Sequence, residues 1–326
     1  ALSLYLVQTI EILEPGSGTW AVDVLSLVEA ILEDPRAIIY RQVDKLKGEL
    51  VGALKAEGVE YEERMERLEQ VRPPRPNEEF IRETFAAFSA AHPWVGDEDI
   101  RPKSIAREMY ERCLSFNDYV NDLGLSRSEG VLLRYLSQCY KAAVQTIPSR
   151  LWTEELDDVL AFLHGLARRT DASLLEEWEL LVAGPAERGP EAPAQTERPP
   201  SVADDPRAFR ARIRGEIHAL LGALSRTDYE DAAGLVVQDP EDPWPSERFA
   251  GALEPYFTEH GAIDVTPKAR LPHNTVIREL EHRLWEVHQK LIDPEGDEDW
   301  GLELVVDLRS PRDESGALIE LRRIGV

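Results

Sequence analysis

Apolar residues recur at three- and four-residue spacing through positions 1–183, the period of helices buried along one face. Leu2, Tyr5, Leu6, Thr9, Ile10 and Leu13 mark the first such face. Asp34 and Pro35, a capping residue and a first-turn proline, predict a helix carrying Ile38, Ile39, Val43, Leu46, Leu50 and Leu54. It should stop near Gly58. Tyr61–Val71 reads as a short charged helix ended by Pro73, Pro74 and Pro76. Asn77 is expected to cap a helix bearing Phe80, Ile81, Phe85 and Phe88. The segment from Ser104 to Leu123 is expected to be helical and to stop at Gly124. Ser126 and Glu129 have capping-box spacing ahead of Val131, Leu132, Tyr135, Leu136, Cys139 and Tyr140. Thr153 caps a further helix, and Ser173–Val182 closes a helical bundle.

Downstream the pattern changes twice. Residues 184–203 are rich in proline and glycine and poor in apolar side chains, the composition of a linker. Two helices follow, Pro206–Ser225 (Phe209, Ile213, Ile217, Leu220, Leu221, Leu224) and Ser246–His260 (Phe249, Leu253, Tyr256, Phe257). Trp285–Ile292 and Leu302–Leu308 then alternate or run apolar as strands do, with Asp293–Asp297 as the hairpin turn between them. Ala317–Ile324 supplies another strand. The order predicts a mostly α chain: a bundle over 1–183, a linker over 184–203, and a small α+β domain over 204–326. Its curved antiparallel sheet on a helix is compatible with a cystatin-like cone.

Charge changes this picture. The net charge of −25 argues against a chain that binds nucleic acid over its whole surface, since neutralising phosphates takes concentrated Lys and Arg. Residues 101–150 run the other way, with eight basic residues against five acidic ones. Such a basic island is a candidate contact surface. Cys113 and Cys139, far apart on helical patterns, exclude a disulfide scaffold or a four-cysteine zinc site and suit a reducing cytoplasm. No apolar run reaches the roughly 18 residues that span a bilayer. The chain opens on Ala1 inside a helical pattern without a cap, so part of the function is expected upstream.

The motifs of nucleotide chemistry are missing from this sequence: no phosphate-cradling glycine loop ending in Lys-Ser/Thr, and no acidic magnesium box. Catalytic residues, metal ligands and a bound cofactor are therefore not expected in this chain. His282 and His288, with Glu281 and Glu286, have a poor ligand spacing and no third ligand, so a polar strand face is the better reading. Asp293, Glu295, Asp297, Glu298 and Asp299 resemble half a calcium loop but lack its bidentate glutamate, which favours a solvated turn. His92-Pro93-Trp94-Val95-Gly96 has two readings, a plug for a bundle end or an edge on which a base stacks.

Several strings carry a family resemblance. Ala21–Arg36, Gly58–Glu69, His92–Gly96, Arg127–Leu136 and Gly296–Leu302 resemble the C-terminal region that follows the motor in a family of bacterial DEAD/DEAH-box (superfamily 2) helicases. That region is catalogued there as a domain of unknown function. Glu129–Gln145 is more weakly similar to the helical bundle of superkiller-type RNA helicases, which packs on the motor and lines the path of a single strand. The resemblance implies a non-catalytic accessory region of an ATP-dependent helicase, with ATP and Mg2+ confined to an absent RecA-like core. Implied partners are that core, a single strand of RNA or DNA, and a protein recruited by the C-terminal domain. Arg101, Lys103, Arg107, Arg127 and Arg134 are the candidate strand contacts. Arg134 has a competing role, packing its stem beside Leu132, Leu133 and Tyr135 while its head pairs with Glu129 or Asp118. A different class stays open: a protein-interaction scaffold or regulatory module with no nucleic-acid contact.

Overall fold

A computed structural model describes residues 1–14, 17–96, 98–170, 201–293, 299–310, 312–314 and 316–326, without the side chains of 167–170. Within it the chain forms two compact units. The first comprises Ala1–Tyr110, Leu114–Trp152 and Leu163–Ala172; the second comprises Glu111–Cys113, Thr153–Phe162 and Ser173–Val326. The protein is mostly helical with one small antiparallel sheet, as the sequence pattern predicts. The predicted helix Ser173–Val182, the linker 184–203 except its last three residues, and the turn beyond Asp293 as far as Glu298 lie outside the described residues.

The first unit is built around one helix. α1 spans Leu2–Ile10 and α2 spans Trp20–Ala30. Ten of the eleven α2 residues are buried, so this helix is covered on every side, the position a helix apolar all round must take. α3 spans Arg36–Ala56, α4 Tyr61–Glu69 and α5 Glu78–Ala91, followed by a 3-10 turn at Pro93–Val95. α6 spans Ala106–Glu111, α7 Phe116–Leu123 and α8 Glu129–Thr146. Tyr5 ties α1 to α5, its hydroxyl donating to the Ile81 carbonyl at 3.0 Å and its ring meeting Phe85 edge-on at 5.2 Å. Gly58 ends α3 at φ +72, where its N–H reaches the Lys55 carbonyl and that of Val59 reaches Leu54, the paired bonds of a Schellman stop. Gly124 ends α7 in the same way.

Four local expectations need correcting. The helix after Asp34 starts at Arg36 with Pro35 in the capping position, and the Asp34 carboxylate instead faces Lys103. Asn77 makes no side-chain cap; it sits in the left-handed region and donates to Asp23 Oδ1 at 2.7 Å. Ser104–Leu123 is not one helix. Cys113 takes φ +49, and Ser115 opens α7 with a capping box in which Ser115 and Asp118 each hold the other's backbone N–H. The expected Ser126–Glu129 box does not form, since Ser128 precedes α8 and makes no side-chain cap bond.

In the second unit α9 spans Glu154–Thr170, its early turns contributing here, with the Leu156 N–H on Thr153 Oγ1 as the sequence predicts. α10 spans Pro206–Ser225, α11 Tyr229–Gly234 and α12 Ser246–His260. Asp205 caps α10 ahead of a first-turn proline. The sheet runs β1 (Thr275–Glu281), β2 (Leu284–Lys290), β3 (Gly301–Asp307) and β4 (Glu320–Gly325), all antiparallel and in sequence order. Ile277, Val287, Leu304 and Leu321 stand opposite one another across all four strands. This row shares a core with Phe209, Ile213 and Ile217 of α10 and with Phe249 and Leu253 of α12. Each such buried side chain contributes about 1.5–3 kcal/mol. β1 and α11 escaped the sequence reading. β1 is an edge strand whose last four residues, Arg278–Glu281, are all exposed, with a charge on either side of Leu280, so no alternation marks it.

Candidate nucleic-acid interface

The five candidate basic residues all lie in the first unit, and the structure divides them. Lys103 is 2% exposed. Its Nζ donates to the Leu32 carbonyl at 2.7 Å and the Arg101 carbonyl at 2.9 Å and lies 3.2 Å from Asp34 Oδ1. Burial pushes its pKa down, with Asp34 pulling the other way. Arg107 is buried as well, its Nη1 on Asp23 Oδ1 and Ser26 Oγ, both at 2.9 Å. Buried charges persist only when paired and hydrogen-bonded, and these two use their donors to hold α2 and its C-terminal loop against residues 101–107. They are removed from the surface, which corrects the reading of the basic island as one contact face.

Around them sits a polar centre the sequence reading missed. Glu29, fully buried on α2, accepts from the backbone N–H groups of Ile105 and Ala106 at 2.8 and 2.9 Å and of Arg107 at 3.0 Å. It thereby caps α6 from a distance. The Tyr135 hydroxyl of α8 donates to the same carboxylate at 2.8 Å. Burial pushes the Glu29 carboxyl up, while these donors pull it down. Beside it, Gln42 Nε2 donates to the Ser104 carbonyl at 2.6 Å, Glu108 at 2.8 Å and Tyr119 at 3.0 Å. A glutamate inside an otherwise apolar run, as at Val28-Glu29-Ala30, is the signal that could have found this centre.

Arg101, Arg127 and Arg134 are exposed and form no ion pair among the described residues. The Arg101 backbone N–H is fixed on the Ala30 carbonyl at 2.9 Å, which leaves its side chain outward from an anchored segment. Arg134 stands on the solvent side of α8 with Val131, which is 41% exposed. The pairing of its head with Glu129 or Asp118 is not seen. Trp94, 60% exposed, lies in the turn after α5. Its ring meets Phe88 edge-on at 6.4 Å and His92 at 5.6 Å.

The second unit holds its own buried polar stripe on α10, opposite the sheet-facing side. Arg214 Nε is 2.7 and 2.8 Å from the two carboxylate oxygens of Asp158. Burial pushes the Asp158 carboxyl up to about 7 against the pull of Arg214. One turn on, His218 is buried with Nε2 unpartnered, and burial and the nearby Arg270 and Arg214 push it well down. The Cys113 Sγ faces the Val265 carbonyl at 3.9 Å, and burial raises its thiol, the opposite of an activated nucleophile. Cys139 is likewise buried and free. His288 is exposed on β2 and His282 lies in the turn before it, roughly 20 Å apart along the strand. Among the described residues no group of three or more His, Cys, Asp and Glu is placed to hold a metal ion.

The chain thus comprises a helical unit with a buried carboxylate centre and a small α+β unit, and the exposed candidate groups of the first unit are three arginines and a tryptophan. The chain belongs to the family described as Domain of unknown function (DUF3516), whose model matches residues 1–324. No curated protein and no solved structure matches. No helix among the described residues is long and apolar enough to cross a membrane.

Proposed function

We propose that this chain is a non-catalytic accessory region of a cytoplasmic ATP-dependent DEAD/DEAH-box helicase, in which the first unit guides a single strand of nucleic acid. The observation that carries the reading is the trio Arg101, Arg127 and Arg134, exposed cations without ion pairs among the described residues in a chain of net charge −25. Arginines left unpaired amid an acidic excess retain their donors for phosphate. The resemblance of Arg127–Leu136 to the helicase C-terminal region supports the same stretch independently. ATP and Mg2+ would belong to an upstream RecA-like core, and the second unit would serve a protein partner.

The test is single-stranded RNA binding across a salt series, with Arg101, Arg127 and Arg134 each changed to Glu in one variant. Each lost phosphate contact flattens the logarithmic salt slope by about 0.7, so binding should weaken and the slope fall by roughly two. An unchanged slope and affinity with an unchanged circular dichroism spectrum would defeat the reading. One observation favours the scaffold alternative: α4 buries none of its residues and exposes Tyr61 and Met65, apolar groups one turn apart on a helix face. A variant that binds strand normally, or a wild type that binds none, would leave that alternative standing.

A further inference from the structure

We propose that Trp94 is a stacking platform for a base of a single-stranded nucleic acid, a role that rests on the strand-guiding reading above. At the C-terminal end of α5 three aromatic rings form a ladder. Phe85 and Phe88 stack at 6.4 Å with planes 27° apart, and Phe88 and His92 at 4.4 Å and 28°. His92 is locked in place because its Nδ1 donates to the Phe88 carbonyl at 2.9 Å. Trp94 stands across the end of this ladder, its plane 80° from Phe88 and 84° from His92. The indole is therefore braced by its neighbours instead of covered by them, and it stays 60% exposed.

The backbone holds it there. Val95, next in the chain, is buried, and Gly96 takes φ +65, ψ −131, a conformation open to glycine alone. A bundle plug would place the indole inside and leave Val95 free to turn out; the structure does the reverse. A large aromatic side chain with two rotatable bonds, fixed yet exposed, gives contact area at low entropic cost. Arg101 follows seven residues later, so its Cα lies within roughly 25 Å of that of Trp94 even were the chain fully extended, inside the span of a short single strand. Every base offers a π face, so such a platform accepts a strand without reading its sequence.

The test uses the whole chain and labelled oligo(U) and oligo(dT), followed by fluorescence anisotropy over a salt series. Trp94→Ala should weaken binding about tenfold with the salt slope unchanged, because stacking neutralises no phosphate. Trp94→Phe should recover most of the loss. Wild-type binding with Trp94→Ala equally tight would overturn the platform and leave the strand-guiding reading intact. A reduced salt slope in Trp94→Ala, or a Phe variant as weak as Ala, would also overturn it. No binding by the wild type would overturn both. Circular dichroism separates these outcomes from unfolding, which is not expected at a side chain exposed to this degree.

Discussion

Arg214 and Asp158 face each other as a buried pair, guanidinium Nε within 2.8 Å of both carboxylate oxygens, with 4% and 1% of their side chains exposed. The pair joins α10 to the first turns of α9 inside the second unit. Arg214 Nη1 also lies 3.6 Å from the largely exposed Glu154, a weaker second partner. Arg214→Met should destabilise the protein by about 3–5 kcal/mol, since it strands a carboxylate in the interior. Changing Asp158→Leu in the same chain should restore much of that loss. Urea midpoints of the two single variants and the double variant give the answer, and additive losses would contradict the pairing.

The division of the basic residues into buried and exposed is checked by thermal unfolding. Lys103→Glu inserts a like charge beside Asp34 and near Glu29 and should unfold the first unit or cost several kcal/mol. Arg134→Glu should change stability by no more than about 0.5 kcal/mol, as surface substitutions do. Equal effects at the two positions would refute the assignment.

Tyr135→Phe keeps the shape of the ring but removes a side-chain donor to the buried Glu29 carboxylate, and with it the hydroxyl to which the Cys139 thiol is hydrogen-bonded. Hydrogen bonds to charged groups contribute about 1.5–3 kcal/mol, and a loss of that size in the denaturant-extrapolated stability is expected. A neutral effect would mean that the backbone donors of α6 suffice.

His218 sets a pH dependence of determined sign. Its folded pKa lies well below the ordinary value of 6.5, for burial first and then Arg270 and Arg214, so the unfolded chain takes up its proton before the folded one does. Its contribution is fully present above pH 6.5 and is lost as pH falls towards the folded pKa, with a slope of at most about 1.4 kcal/mol per pH unit. Relative to the wild type, His218→Leu should unfold over a narrower acid range below pH 6.5. Parallel stability curves for the two would contradict this.

Gly222 is the close approach of α10. A Cβ there would meet the Cys113 Cβ at 2.9 Å and its carbonyl oxygen at 3.1 Å. Gly222→Ala should therefore cost about 1–3 kcal/mol by overpacking, despite the better helix propensity of alanine. Gly215→Ala, with nothing within 4 Å, should not. Stabilisation at both positions would show that the backbone gives way.

Local chemistry made much of the chain legible. Pro206–Ser225 and Ser246–His260 are found as the sequence predicts them, because the Asp205–Pro206 start and the helical apolar period act within a few residues. The pairing of β2 with β3 follows from two runs of strand-forming residues around a turn. The break before α7 was written locally as well, in Ser115 and Asp118, yet the apolar period on either side of it masks the signal. Charge density misled for a different reason. A count of Lys and Arg over 101–150 holds no term for the partners of each head, and those partners lie far off in the chain: Lys103 reaches Leu32, 71 positions away, and Arg107 reaches Asp23, 84 away. The sequence by itself determined which segments coil, where most of them stop, and that this chain carries an acidic excess with one basic stretch. Only the tertiary structure decided which of those basic groups face water, because burial depends on what distant helices bring to the same place, and a charge goes inside only where its partners already wait.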